Sequence, residues 1–188
     1  MLEFLGLLSG AIFIIADLPY IRDILRGKTK PHRTSWFLYF VINAVNVANQ
    51  AASGATHSLW LPIAATIITF VIFILSISRG VGGFSRLDII CLLGAIGGLL
   101  LWAIFKTPVA STISNITAAS LAVIPTIKKS YTHPHTETAI TYLIASISGL
   151  LAAFSVGSLN IRLLLLPLHD FVIQFGIYCL LLWRISKE

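Results

Sequence analysis

Nearly the whole chain divides into seven apolar stretches of roughly twenty residues: about Leu2 to Ile24, Ser35 to Ala52, Leu59 to Ile77, Leu87 to Phe105, Pro108 to Ile127, Thr138 to Val156 and Leu163 to Trp183. Each is long enough to cross a hydrocarbon core of ~30 Å as a helix. In lipid a backbone must satisfy its own hydrogen bonds, which leaves helices and closed barrels, and unbroken stretches of this length point to helices. At 57% hydrophobic and 11% charged residues, with mean hydropathy +0.92, the chain lies far from soluble domains, which carry about 25% charged residues. The first stretch opens at residue two without a basic leader or an Ala-x-Ala site, so it is expected to stay in the protein.

The basic residues sort by side. Arg22, Arg26, Lys28, Lys30, Arg33, Arg79, Arg86, Lys128, Lys129, Arg184 and Lys187 fall in alternate seams or at the C-terminus, and only Lys106 and Arg162 in the others. By the positive-inside rule this predicts an external N-terminus, a cytoplasmic C-terminus and an odd number of spans, in a multi-pass protein of the plasma (inner) membrane. Lys28 and Lys129 are then cytoplasmic and Ser158 external. Trp36, Trp60, Trp102 and Trp183 each sit near a span end, as interfacial aromatics do. This distribution, and not the pI near 9.6, decides against nucleic acid as a partner. Cys91 and Cys179 lie inside spans, away from any disulfide pattern, and read as core filler.

The second half of the chain repeats the first. Pro19, Pro31 and Pro62 match Pro125, Pro134 and Pro167 at offsets of 106, 103 and 105, and Tyr39 matches Tyr142 at the offset of Pro31. Residues 1–78 are expected to form one three-helix bundle, 79–106 a linker helix and 107–188 a second bundle. A period of four crossings makes the halves parallel, related by a pseudo-twofold along the bilayer normal. The expected class is an all-α membrane protein of seven transmembrane helices. The run from Arg79 to Arg86 contains Gly80, Gly82 and Gly83 but lacks the Lys-Ser/Thr ending of a phosphate loop, and reads as a linker. Gly6 with Gly10, and Ala145, Gly149 and Ala153, place small residues at helical spacing for close packing.

Three spans, a linker span and three more, with prolines near the cytoplasmic ends of spans one and five and basic loops after them, resemble the SWEET and PQ-loop superfamily of small-solute carriers over the whole chain. The Pro-Gln pair that names the PQ-loop family is absent, since Tyr20 follows Pro19 and Thr126 follows Pro125. The resemblance implies transport by alternating access, with Pro19, Pro31, Pro125 and Pro134 as hinges. Bacterial nicotinamide riboside carriers share the layout, so the fold alone does not choose a substrate.

A charge at mid-bilayer costs roughly 2.5 to 3.5 kcal/mol on insertion scales, which makes each such residue a functional candidate. Asp170, inside span seven beside His169 and one turn before Gln174, is the strongest; it either contacts a solute or carries a proton, or it is a protonated carboxyl cementing helix packing. Asp17, before Pro19, is a gating candidate or a partner of the Arg22 to Arg33 cluster. Asp88 reads as an anchor at the start of span four. Tyr39, Asn43, Asn46 and Asn49 with Gln50 form a polar stripe along span two that must face protein or water. Span five adds Ser111 and Asn115, the latter matched by Ser9, and span three adds Thr69.

The expected solute-binding set is therefore Asp170, Gln174, Asn43, Asn46, Asn115, Thr69 and Tyr39, with Asp17, Asp170 and His169 for gating or coupling. His32, His133 and His135 lie in loops without a carboxylate or cysteine at ligand spacing, so no metal or cofactor is expected. No Ser/His/Asp or Cys/His arrangement argues for an enzyme. The reading is a carrier or facilitator of a small polar solute, of sugar, vitamin, nucleoside or amino-acid class, with proton coupling through Asp170 as one form. The alternative is a binding or sorting receptor on the same scaffold, similar in layout to the KDEL receptors. The expected partners are the lipid bilayer and the solute, with a homo-oligomer left open.

Overall fold

The computed structural model of the chain describes residues 1–52, 59–83, 85–105, 108–157 and 161–187. Lys106 and Ser158 lie outside the described residues, as do the side chains of Asn49, Gln50, Trp102, Ser111 and Arg162. Among the described residues the protein is all-helical, with no β-strand: α1 (Leu2–Leu25), α2 (Arg33–Ala52), α3 (Trp60–Arg79), α4 (Arg86–Phe105), α5 (Pro108–Thr132), α6 (Ala139–Ser155) and α7 (Ile161–Ile185), with a 3-10 turn at Pro134–Thr136 before α6.

The helices fall on the apolar stretches. Among the described residues three of them, α1, α3 and α7, are long and apolar enough to cross a membrane. Helix α6 is apolar but has 17 residues, and α2 and α5 are diluted by polar residues such as Asn43, Asn46, Ser114 and Asn115. Pro19 and Pro125 lie inside α1 and α5 at the same distance from the helix start, 19 − 2 and 125 − 108, both 17 residues. Each removes one backbone hydrogen bond from a helix that nonetheless continues. Pro31 is buried in the connection before α2, and Pro134 opens the 3-10 turn.

Helix α1 packs on α3 and α6, α3 also on α2, α2 also on α5, and α7 on both α5 and α6. Six helices thus close a ring in the order α1, α3, α2, α5, α7, α6, while α4 lies outside it against α5 and, lightly, α2. Small residues set the spacing where two backbones meet. A Cβ on Gly149 of α6 would come within 3.0 Å of the Phe171 nitrogen and 3.1 Å of the Pro167 carbonyl oxygen of α7, which is the close approach that glycine permits.

The connections after α1, α3 and α5 meet at one end of the ring. The Lys30 amide donates to the Thr136 carbonyl at 3.1 Å, and Arg33 and Val81 exchange backbone bonds with Val81 and Pro31 at 3.0 and 2.9 Å. Arg79 Nη1 reaches the Leu25 carbonyl at 2.6 Å, and Arg184 Nε the Tyr131 carbonyl at 2.8 Å. Eleven of the thirteen basic residues belong to these connections, to the helix turns beside them or to the C-terminus. We call this the basic end. Just inside it, Tyr20, Ile24, Trp36, Ile68, Ile72, Val123, Tyr142, Ile177 and Leu181, drawn from all six ring helices, form one buried core.

Candidate functional site

Helices α2 and α5 meet along two rows of side chains. Leu38 and Ile42 of α2 pack against Ala118 and Ala122 of α5, all buried. One turn further from the basic end, the rows continue with Asn46 on α2 and Asn115 on α5, at helical steps of four and three that keep each on its row's face. Asn115 is 0% exposed and Asn46 8%. Both amide heteroatoms of Asn115, and Oδ1 of Asn46, have no hydrogen-bond partner among the described residues. An unsatisfied buried polar group costs about 1–3 kcal/mol, and most such groups in folded proteins are paired. Two adjacent helices presenting unmet amides on one seam are therefore equipped to bind something polar.

The opposite seam, between α1 and α6, is closed. There Ser148 Oγ donates to the Ser9 carbonyl at 2.8 Å, and Ser9 Oγ to the Gly6 carbonyl at 2.7 Å. Ser9, matched in sequence to Asn115, thus spends its polar groups inside the protein.

The other expected binding residues are spread around the ring. Thr69 is buried and satisfies itself, donating to the Ala65 carbonyl at 2.6 Å. Tyr39 stands edge-on to Trp36, with centroids 5.7 Å apart, and packs against the buried core. Asn43 and Gln174 are partly buried. The Asp170 side chain is 48% exposed, 3.6 Å from His169 Nδ1, and it makes no hydrogen bond to Asn43, Asn46 or Asn115. His169 Nε2 lies 3.0 Å from Ser120 Oγ on α5.

Asp17 is 3% exposed, and no ion pair joins it to the Arg22 to Arg33 cluster. Arg22 instead contacts the neighbouring Asp23 at 3.3 Å. Asp23 in turn accepts from Thr138 Oγ1 at 3.2 Å, and Thr138 Oγ1 sits 2.6 Å from Thr29 Oγ1. Since Thr138 donates to the carboxylate, Thr29 donates to Thr138, and the chain of bonds crosses from the α1–α2 connection to the start of α6.

The basic end also holds groups that the spacing of polar residues does not reveal. Lys129 Nζ lies 2.5 Å from Glu137 Oε1 and also donates to the Lys30 carbonyl. Tyr142 donates to Glu137 Oε2 at 2.8 Å. Tyr142 packs edge-on against Tyr20, whose hydroxyl accepts from Trp36 Nε1 at 3.3 Å. A buried ion pair backed by three aromatics thus shuts the ring at this end. The one signal for it in the sequence is that Glu137 is a lone carboxylate in a stretch of lysine, histidine and threonine.

At the start of α4, Asp88 accepts from the Gly83 and Ser85 amides at 3.0 and 3.1 Å, and its own amide donates back to Ser85 Oγ at 3.2 Å. This reciprocal pair is a capping box. Asp88 Oδ1 also lies 3.2 Å from His32 Nε2, so Asp88 is an anchor between α4 and the connection before α2. Gly82, at φ +75°, passes so close to the His32 ring that a Cβ has no room there. Burial lowers the His32 pKa from its ordinary 6.5; Asp88 opposes this, and Lys129 and Arg33 add to it.

The chain matches no family model, and no curated protein or solved structure is significantly similar to it.

Proposed function

We propose that this protein is an integral membrane carrier that moves a small polar solute through the seam between two three-helix bundles, by exposing that seam alternately to the two sides of the membrane. The observation that carries the reading is the pair of buried asparagines, Asn46 and Asn115, with unmet amide groups on the α2/α5 seam. An amide both donates and accepts, so two of them suit a solute with hydroxyl or amide groups of its own, such as a sugar, a nucleoside-like vitamin or an amino acid. The order of helices around the ring supports it. Read from α1 the order is first, third, second helix, and read from α5 it is the same, as expected of two parallel repeats. The ionic and aromatic closure at the basic end supports a carrier held shut on that side, which is the cytoplasmic side by the positive-inside rule.

The test is uptake of labelled solutes of these classes into proteoliposomes, in wild type and in Asn115→Leu. Leucine fills the same space without an unmet polar group, so the variant should fold at least as well as wild type while losing uptake. Saturable binding without flux in wild type would instead identify a receptor, and full uptake by Asn115→Leu would remove the seam from the pathway.

A further inference from the structure

Outside the seam, the protein has a cavity of about 410 Å³ at the basic end, between the connection before α2, the first turn of α4 and the last turns of α5. Its charge is one-sided: among the described residues Lys30, Lys128 and Lys129 line it together with His32 and His133, against Asp88 alone. Asp88 is already spent on the α4 amides and His32, and Lys129 on Glu137. Lys30 and Lys128 are exposed, with no side-chain partner among the described residues. Two uncompensated ammonium groups converging on one cavity raise its potential and favour an anion.

Two further features fit. The Lys129 carbonyl, at the otherwise electronegative end of α5, is covered by the His133 amide at 2.7 Å. His32, 8% exposed, lines the cavity with Nδ1 unpartnered. Because Asp88 can only accept, Nε2 carries the hydrogen that faces it, and Nδ1 becomes a donor when an anion draws a second proton onto the ring.

We propose that this pocket binds a phosphate-bearing anion, by charge-assisted hydrogen bonds from Lys30 and Lys128. Each ammonium offers three donors, and a phosphate group offers several strong acceptors and at least one full negative charge. The phosphate belongs either to a membrane lipid headgroup, for which basic pockets between helices on the cytoplasmic face are suited, or to a soluble molecule. The site stands apart from the Asn46 and Asn115 seam, and its test needs no transport.

Purified full-length protein in a neutral detergent is titrated with inorganic phosphate at constant ionic strength and, separately, with short-chain phosphatidylglycerol and phosphatidylcholine, following the thermal midpoint. Saturable stabilisation by phosphate, or by phosphatidylglycerol and not phosphatidylcholine, is the expected result, and which of the two acts identifies the source. In Lys30→Gln/Lys128→Gln the affinity should fall roughly 30-fold, taking about a kcal/mol for each lysine near an anionic headgroup. Lys30→Arg/Lys128→Arg, which keeps both charges, should retain binding. The proposal is overturned if neither ligand stabilises beyond the salt control, if phosphatidylcholine acts equally, or if the glutamine variant binds as wild type does.

Discussion

Lys129 near the end of α5 and Glu137 before α6 form an ion pair of 2.5 Å in which the side chains are 7% and 0% exposed. Two ions removed from water are tolerable only because each has further partners, the Lys30 carbonyl for the lysine and the Tyr142 hydroxyl for the glutamate. Removing one member leaves the other charged, buried and without a counter-charge, which in comparable pairs costs about 3–5 kcal/mol. Lys129→Met should therefore unfold markedly more easily in detergent. Lys129→Met/Glu137→Gln, which leaves no uncompensated charge and keeps an acceptor for Tyr142, should recover much of the loss. A double variant as unstable as the single one would mean that the pair itself, and not the orphaned charge, carries the stability.

The sequence makes some of this legible and hides the rest. Helix positions follow from apolar stretches that can satisfy their backbones in no other way, and Asn46 and Asn115 stand out because amides are costly in such stretches. Asp170 stands out for the same reason, yet its side chain is half exposed: a one-dimensional reading gives its depth along α7 but not which neighbours cover that face. The Lys129–Glu137 pair is hidden for a different reason. In the sequence both residues fall in the polar stretch between apolar spans five and six, which reads as solvated, and only the fold places Lys129 in the last turn of α5, bonded to the Lys30 carbonyl, with Glu137 bonded to Tyr142.

His32 gives a pH dependence whose sign follows from its burial. Its folded pKa lies below the ordinary 6.5, so as pH falls the unfolded chain takes up the proton first. Its contribution to stability is full above about pH 6.5 and is lost as pH falls through that value toward the folded pKa. Burial is the largest cause of the lowered pKa; among the charged groups Asp88 opposes it, and Lys129 and Arg33 add to it. In phosphate-free buffer the thermal midpoint should drop on acidification below about pH 6.5, and His32→Gln, whose amide can replace the Nε2 donor toward Asp88, should flatten that drop. Parallel curves for the two proteins would assign the acid sensitivity elsewhere.

Pro19 and Pro125 occupy equivalent positions in α1 and α5. Each lacks the N–H that would bond the carbonyl four residues earlier, which makes that turn the easiest place for the helix to bend. If the bundles move against one another during transport, Pro19→Ala and Pro125→Ala should slow solute exchange several-fold while leaving or raising thermal stability, because each restores a helix hydrogen bond. Exchange rates equal to wild type in both variants would show that the bending is not used.

Asp170 separates two forms of the proposed carrier. A role in cementing helices predicts a lower thermal midpoint for Asp170→Asn; the half-exposed carboxylate has no hydrogen-bonding partner across the seam among the described residues, so the midpoint should stay near wild type. A proton-coupled carrier needs a group that gains and loses a proton during each cycle, and Asn keeps the shape of Asp while abolishing that titration. With Asp170 as the coupling group, the variant should lose uphill uptake driven by a proton gradient yet keep downhill exchange, and its uptake should no longer vary with pH as the wild type's does. His169, 3.6 Å away and held to Ser120, provides the control. His169→Gln keeps the carboxylate, so it should preserve uphill uptake. Superimposable pH profiles for wild type and Asp170→Asn would leave a facilitator that moves its solute down a gradient only.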